Sequence, residues 1–147
     1  MNRQDSFLYP LEGCAKAAKE EPDPELDVLA NSVIGAAIEV HRHLGPGYLE
    51  SVYEEALAIE FRIRNLPFER QRPMGVVYKD VIVGQGKLDF LVGSRLVVEI
   101  KAVEDLLPVH RGQVMSYLKA TNCRLGLLIN FNEATLARGV KRIIWTN

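Results

Sequence analysis

VVEIK, residues 97–101, is the stretch that decides the fold. Apolar residues that favour strands lead into Glu99 and Lys101, and the two-residue repeat of a strand points both charges the same way. Either the strand surfaces here with an ordinary ion pair, or it delivers two charged side chains to a site. The neighbouring segments bear on that choice.

Apolar periodicity on either side of VVEIK predicts helices packed on a mixed sheet. Two helices come first, at residues 26–44 and 48–65, and a loosely ordered N-terminal arm at residues 1–24 precedes them. The domain proper is expected at residues 25–147. Its later elements are predicted as strands at 68–78, 81–83, 88–92 and 96–100, a helix at 109–121, a strand at 125–131, a short helix near 133–138 and a last strand at 142–145. Pro73 and Gly75 are expected to interrupt the first of these strands, and GQG at 84–86 to break the second.

Composition narrows the class of protein. The chain has 147 residues, which favours one domain, and its net charge of −1 argues against passive coating of nucleic acid. Two cysteines are too few for a framework of disulfides or for a zinc site. Neither a signal peptide nor a membrane span is evident, so we expect a cytoplasmic protein without a membrane partner.

Asp89 lies ten residues before Glu99, in the preceding predicted strand. A two-residue turn at Gly93-Ser94 would pair Asp89 with Val98 and send Glu99 to the other face. A three-residue loop, or a bulge, would instead pair Asp89 with Glu99 directly. Only the second arrangement brings the two acids together, and the spacing alone leaves both open.

In the paired arrangement, the carboxylates of Asp89 and Glu99 and the carbonyl of Ile100 would form a site of hard oxygen donors. Such donors suit Mg²⁺ or Mn²⁺, and Lys101 beside them could orient or help to deprotonate an attacking water. A surface ion pair at the end of a strand is the competing interpretation, and the sequence leaves both open.

Three downstream residues can contact phosphate. Gln113 and Tyr117 lie four apart on one predicted helix, hence on one face, and both can donate hydrogen bonds. His110 lies three residues before Gln113 on the same side. The alternatives are a helix with one polar residue and a half-buried tyrosine, and a capping role for His110.

Upstream, Glu50 lies near the start of the second helix, one turn before Tyr53. The helix dipole favours a carboxylate there, so capping is one explanation. Ser51 and Glu54 have the spacing of a capping box, which offers another helix start. The functional interpretation makes Glu50 a third acid that points at the predicted metal site.

The motifs together resemble a known family. GKLD (86–89), EIK (99–101) and QVMSY (113–117) look like the three motifs of RecB-type members of the PD-(D/E)XK nuclease superfamily. GYLESVY (47–53) resembles the signature of its GxxExxY branch, as do LPVHRGQVMSYL (107–118) and LGLLINF (125–131). The resemblance covers roughly residues 26–145; the "PD" of the name is absent, since Leu88 precedes Asp89.

The resemblance implies an α/β restriction-endonuclease-like core of order αβββαβ. It assigns metal ligation to Asp89 and Glu99, with Glu50 completing the site, water activation to Lys101, and phosphate or active-site support to Gln113 and Tyr117. The implied function is a nuclease that uses Mg²⁺ or Mn²⁺ on nucleic acid, DNA before RNA, as a homodimer or with a partner protein. The alternatives are a catalytically silent binding or regulatory module and a hydrolase of another phosphodiester.

Overall fold

The computed structural model describes residues 23–146. It contains three helices, five strands and a short 3₁₀ helix within that range. In chain order the elements are α1 (Pro24–Leu44), α2 (Glu50–Ile63), β1 (Phe68–Tyr78), β2 (Val81–Val92), β3 (Leu96–Lys101), α3 (Pro108–Thr121), β4 (Leu125–Asn130), the 3₁₀ helix (Leu136–Gly139) and β5 (Val140–Ile144).

The five strands form one mixed sheet in the order β1-β2-β3-β4-β5. β1, β2 and β3 pair antiparallel, β3 pairs parallel with β4, and β5 pairs antiparallel with β4. A parallel pair needs a long crossover, which α3 provides between β3 and β4. The predicted αβββαβ core is therefore confirmed.

Helices cover both faces of this sheet. α1 and α2 pack against one face, where their buried residues join Phe90, Val98 and Leu127 in the larger core. α3 covers the other face, where Val114 and Leu118 meet Leu91, Val97 and Leu128. Because β3 and β4 are covered on both sides, their residues are buried in an almost unbroken run rather than at every second position.

Two predicted breaks in the strands are wrong. GQG at 84–86 lies inside β2, which runs without interruption from Val81 to Val92. A Cβ atom at position 86 would lie 3.1 Å from the Met74 side chain and 3.6 Å from the Tyr117 side chain. Glycine therefore suits this tightly packed position within β2. Pro73 does not interrupt β1, because an edge strand tolerates a residue that cannot donate a ladder hydrogen bond. The register instead shifts between Val76 and Val77.

α1 begins earlier than the predicted domain boundary. Asp23 is its N-cap, since its carboxylate accepts a hydrogen bond from the backbone N–H of Leu26 at 3.2 Å. The rest of the predicted arm, residues 1–22, lies outside the described residues. No helix within residues 23–146 has both the length and the apolar character needed to cross a membrane.

Candidate active site

The β2–β3 hairpin decides whether the two acids meet. Val92 pairs with Leu96, and Phe90 pairs with Val98, so the connecting loop has three residues, Gly93 to Arg95. Gly93 and Ser94 both have positive φ, near 59°, which supports a tight reversal. The three-residue alternative is thus the one found, and continuing its register sets Asp89 opposite Glu99.

The two carboxylates bind each other's strand. The backbone N–H of Asp89 donates to Glu99 Oε1 at 2.9 Å, and the backbone N–H of Ile100 donates to Asp89 Oδ2 at 2.8 Å. Only 9% of Asp89 and 3% of Glu99 is exposed, so both acids are inside the fold. At the site, these two bonds from backbone N–H groups to carboxylates take the place of backbone–backbone hydrogen bonds between β2 and β3.

Burial of like charges shifts the titration of the acids. Desolvation raises the pKa of Glu99 to about 8, and the carboxylate of Asp89 adds to the rise. Desolvation also raises the pKa of Asp89, against the hydrogen bond from Ile100. Lys101 lies two residues after Glu99, on the same side of β3, and its charge favours ionisation of both acids. Two close carboxylates beside one cation are an arrangement that a divalent ion would stabilise.

Glu50 belongs to the same electrostatic cluster. It is the first residue of α2 and is half-buried rather than open to solvent. Desolvation raises its pKa, the charge of Asp89 raises it further, and that of Lys101 opposes the rise. Glu50 therefore comes from the neighbouring helix into the field of the acid pair, while its place at the helix start also suits the dipole.

The start of α2 exposes apolar side chains and has no side-chain cap among the described residues. Leu49 is the N-cap and is 75% exposed, and Val52 is exposed as well. Ser51 is not a cap, because the helix begins before it. Glu54, its predicted capping partner, instead turns inward and binds β1.

Sequence reasoning missed a polar chain that supports Asp89. The Nε2 group of Gln71, on β1, donates to Glu54 at 3.0 Å and to Asp89 Oδ1 at 3.2 Å. Arg70 donates to the same Glu54 carboxylate at 2.7 Å. Gln71 has φ of 53°, a left-handed conformation inside a strand. One signal was available: Glu54 lies four residues after Glu50, hence on the same helix face.

Gln113 and Tyr117 share one face of α3, as their spacing predicts. Gln113 Nε2 donates to the Tyr117 hydroxyl at 2.9 Å, and both residues are partly buried. Burial raises the pKa of Tyr117, and the charges of Glu99 and Asp89 raise it further. Tyr117 of α3 therefore lies in the electrostatic field of the acid pair, with the Gln113 amide bound to its hydroxyl.

His110 and Tyr53 make structural contacts. The Nδ1 atom of His110 accepts from the backbone N–H of Leu107 at 2.9 Å, which caps α3. The buried Tyr53 hydroxyl donates to the Gly45 carbonyl at 2.5 Å and accepts from the backbone N–H of Tyr48, and its ring stacks on Phe131 at 4.6 Å. Tyr53 therefore fixes the loop that leads to Glu50 rather than acting on a ligand itself.

The donors available to a metal are few. Within residues 23–146, no group of three or more His, Cys, Asp and Glu side chains is arranged to hold an ion. Asp89 and Glu99, with the predicted Ile100 carbonyl, remain the candidate donors, and Glu50 would have to approach them. This set fits Mg²⁺ chemistry, because that ion is usually bound through one or two carboxylates and completes its shell with waters and phosphate oxygens.

Comparison with known proteins adds one finding. The family model described as the PD-(D/E)XK nuclease superfamily matches residues 27–143. That range contains every residue of the site described above. Neither the curated proteins nor the solved structures include a significant match to the chain.

Proposed function

Because the chain belongs to the PD-(D/E)XK nuclease superfamily, we propose that it is a metal-dependent nuclease that hydrolyses phosphodiester bonds of nucleic acid. The observation that carries the proposal is the pair of buried carboxylates, Asp89 and Glu99, which cross-bind two adjacent strands beside Lys101. Buried acids with raised pKa values are costly to keep unless they serve a ligand or a reaction.

Asp89, Glu99 and the carbonyl of Ile100 would hold the ion, with Glu50 approaching from α2. When bound, Mg²⁺ or Mn²⁺ would neutralise charge on the phosphoryl oxygens and make a water more acidic. Gln71 would hold Asp89 in place, since it shares its amide group between that carboxylate and Glu54. The carboxylates would be ionised in this state, because a divalent cation opposes the repulsion between them.

Lys101 would orient the water that attacks phosphorus and stabilise the negative charge that develops in the transition state. Lys101 and Glu99 lie at the same end of β3 and on the same side of it, so the Lys101 ammonium group can face the phosphate that is attacked. Gln113 and Tyr117 would donate to phosphate oxygens from α3, and His110 would contact the flanking backbone. The attack would form a P–O bond to the water oxygen and break the P–O bond to one sugar oxygen, leaving a phosphate on one strand end and a hydroxyl on the other.

The finer assignments rest on residue patterns. Gly47, Glu50 and Tyr53 have the spacing of the GxxExxY branch, and GKLD, EIK and QVMSY support RecB-type chemistry. We propose DNA before RNA as the substrate, a cytoplasmic location, and a homodimer or a partner protein as the working form.

The experiment that tests the nuclease proposal is a panel of end-labelled substrates. Single- and double-stranded DNA and RNA are incubated with the protein in Mg²⁺, Mn²⁺ or EDTA, and products are separated by size. We expect cleavage of at least one substrate with a divalent ion and none in EDTA. Cleavage that persists in EDTA, or in the Asp89→Asn variant, would contradict the proposal.

A catalytically silent nuclease-fold binding module is the second candidate. It is favoured by the absence of a ready cluster of three metal-binding side chains in the described part of the chain. It is also favoured by the backbone N–H groups that already bind both carboxylates. The two candidates differ in whether an ion binds at the acid pair.

Millimolar Mg²⁺ or Mn²⁺ should therefore raise the melting temperature of the native protein at pH 8.5. An ion that binds only the folded state stabilises it by about 2.7 kcal/mol at a hundredfold excess over its Kd, which corresponds to several degrees. The gain should shrink or vanish in Asp89→Asn and Glu99→Gln, and should remain in Lys101→Met. Differential scanning calorimetry provides the measurement.

Asp80→Asn is the matched control for this experiment, because Asp80 lies in the β1–β2 turn, outside the acid pair, with φ of 68° that asparagine tolerates. It should keep the full metal response. An equal response in the native protein and in all of these variants would mean that the ion binds elsewhere, and the binding module would become the better candidate.

A further inference from the structure

A second charged feature lies outside the acid pair, beside the edge strand β5. It is a cleft of about 420 Å³ lined by Ile34, Arg111, Ala137, Val140, Lys141 and Arg142. Three of its six lining residues are cationic and none is acidic. We infer that this cleft binds the phosphate backbone of nucleic acid beside the cleaved bond, an inference that rests on the proposed nuclease function.

The sheet register places the cleft at the same end as the acid pair. Ile100, between Glu99 and Lys101, pairs with Ile129, and Ile129 pairs with Val140 of the cleft. Neighbouring strands lie roughly 4.8 Å apart, so the cleft begins about 10 Å from β3 across the sheet. That distance corresponds to about three nucleotides at the axial rise of 3.4 Å per phosphate along one strand.

The charges of the cleft are available to a ligand. Arg142 is already paired with Asp27 at 2.7 Å and so contributes less. Arg111 and Lys141 are both exposed, and no ion pair with another residue in the range 23–146 engages either of them. Most other arginines of that range are paired with the protein's own acids, as Arg70 is with Glu54 and Glu55. Within the described range, Arg111 and Lys141 are thus two exposed, unpaired cations that line the same cleft.

α3 joins the two sites. Tyr117 lies in the electrostatic field of Asp89 and Glu99 and binds Gln113. Arg111, two residues before Gln113, lies nearly half a turn round the helix, at the cleft. A strand whose phosphate sits at Asp89 and Glu99 could thus pass the first turn of α3 and meet Arg111 and Lys141. An overall charge of −1 is compatible with this path, since only a local cationic strip is needed.

Edge protection is the competing explanation. Charged residues on an edge strand prevent it from pairing with another chain, and β5 is such a strand. The two explanations differ in what removal of the charges does. If the cleft binds nucleic acid, the affinity for a polyanion should fall and its salt dependence should become smaller. If the charges protect the edge strand, their removal should cause self-association and leave the affinity unchanged.

The test measures the affinity for a fluorescein-labelled 20-base-pair DNA duplex by anisotropy, in EDTA, between 50 and 300 mM NaCl. The variants are Arg111→Gln with Lys141→Gln, and the charge-retaining Arg111→Lys with Lys141→Arg. Removing two phosphate contacts should lower the slope of log K against log salt by about 1.8. It should also weaken binding at least about tenfold at 0.1 M NaCl, while the charge-retaining variant keeps the native slope.

Lys79→Gln with Lys119→Gln is the matched control. It removes two exposed cations, one at the β1–β2 turn and one in the last turn of α3, away from the cleft. An unchanged slope in the Arg111/Lys141 double variant, or an equal fall in the control, overturns the inference. If the native protein cleaves nucleic acid while either result is found, only this inference fails. If the native protein neither binds nor cleaves nucleic acid, the proposed function fails with it.

Discussion

Replacing Lys101 with methionine should lower the single-turnover rate of nucleic-acid cleavage by about 10²- to 10³-fold. Methionine keeps an unbranched side chain of similar length but removes the charge that would orient water and stabilise the developing negative charge. Lys101 shares a side of β3 with Glu99 and its field acts on Asp89, Glu99 and Glu50, so its loss removes a cation that acts on all three acids of the candidate site.

The measurement is a single-turnover time course on the best substrate of the panel, at saturating Mg²⁺ and protein. Lys79→Met is the control, because Lys79 lies in the β1–β2 turn against the Tyr78 ring. The binding of nucleic acid should change far less than the rate. A native rate for Lys101→Met, together with an inactive Asp89→Asn, would show that Lys101 has no part in the chemistry.

Most of the fold could be predicted from the sequence because helical and strand periodicities are local properties of the chain. Apolar periodicity typical of helices and strands predicted the order of elements that the structure contains. GQG at 84–86 failed as a breaker because glycine also allows close packing in a strand. Tyr117 of α3 lies close to Gly86, and a contact between residues so far apart in the chain cannot be predicted from a local pattern.

The register of the β2–β3 hairpin could not be predicted from the local sequence. The spacing of Asp89 and Glu99 fits a two- or a three-residue turn, and Gly93-Ser94 suits either. Contacts distant in sequence accompany the three-residue loop: Arg95 forms an ion pair with Asp23, and the backbone N–H of Gly93 donates to the Pro67 carbonyl at 2.8 Å. Such tertiary contacts cannot be read from the hairpin alone.

The support for Asp89 was hidden for a similar reason. Gln71 takes a left-handed conformation within β1, which the sequence gives no reason to expect of glutamine. Glu54 had a plausible local partner in Ser51, so its long-range bonds to Arg70 and Gln71 were not foreseen. The predicted acids could be named from motif spacing, whereas the residues that hold them depend on backbone geometry.

Glu99→Gln should make the metal-free protein more stable than the native protein at pH 9, and the advantage should fade toward pH 5. Burial raises the pKa of Glu99 from 4.5 to about 8, so at neutral pH the folded state holds a proton that the unfolded state has released. Stability is therefore fully present below about pH 4.5 and is lost as pH rises through about 8. The raised pKa values of Asp89 and Glu50 act in the same direction.

The size of the effect follows from the shift. At about 1.4 kcal/mol per pKa unit, a rise from 4.5 to about 8 corresponds to at most about 5 kcal/mol of stability lost across that pH range. Glutamine cannot ionise, yet its amide oxygen can still accept the hydrogen bond from the backbone N–H of Asp89. Urea denaturation in EDTA at pH 5, 7 and 9 measures the free energy of unfolding of both proteins.

Glu104→Gln is the control, since Glu104 is exposed in the loop after β3, and its stability should follow the native curve. If native stability stays level between pH 5 and 9, or if Glu99→Gln runs parallel to it, the acid pair does not strain the fold. With Mg²⁺ present, the native protein should recover stability at pH 9 and Glu99→Gln should recover less. That reversal would follow because the ion favours the ionised carboxylates, which are the form that the metal-free fold tolerates least.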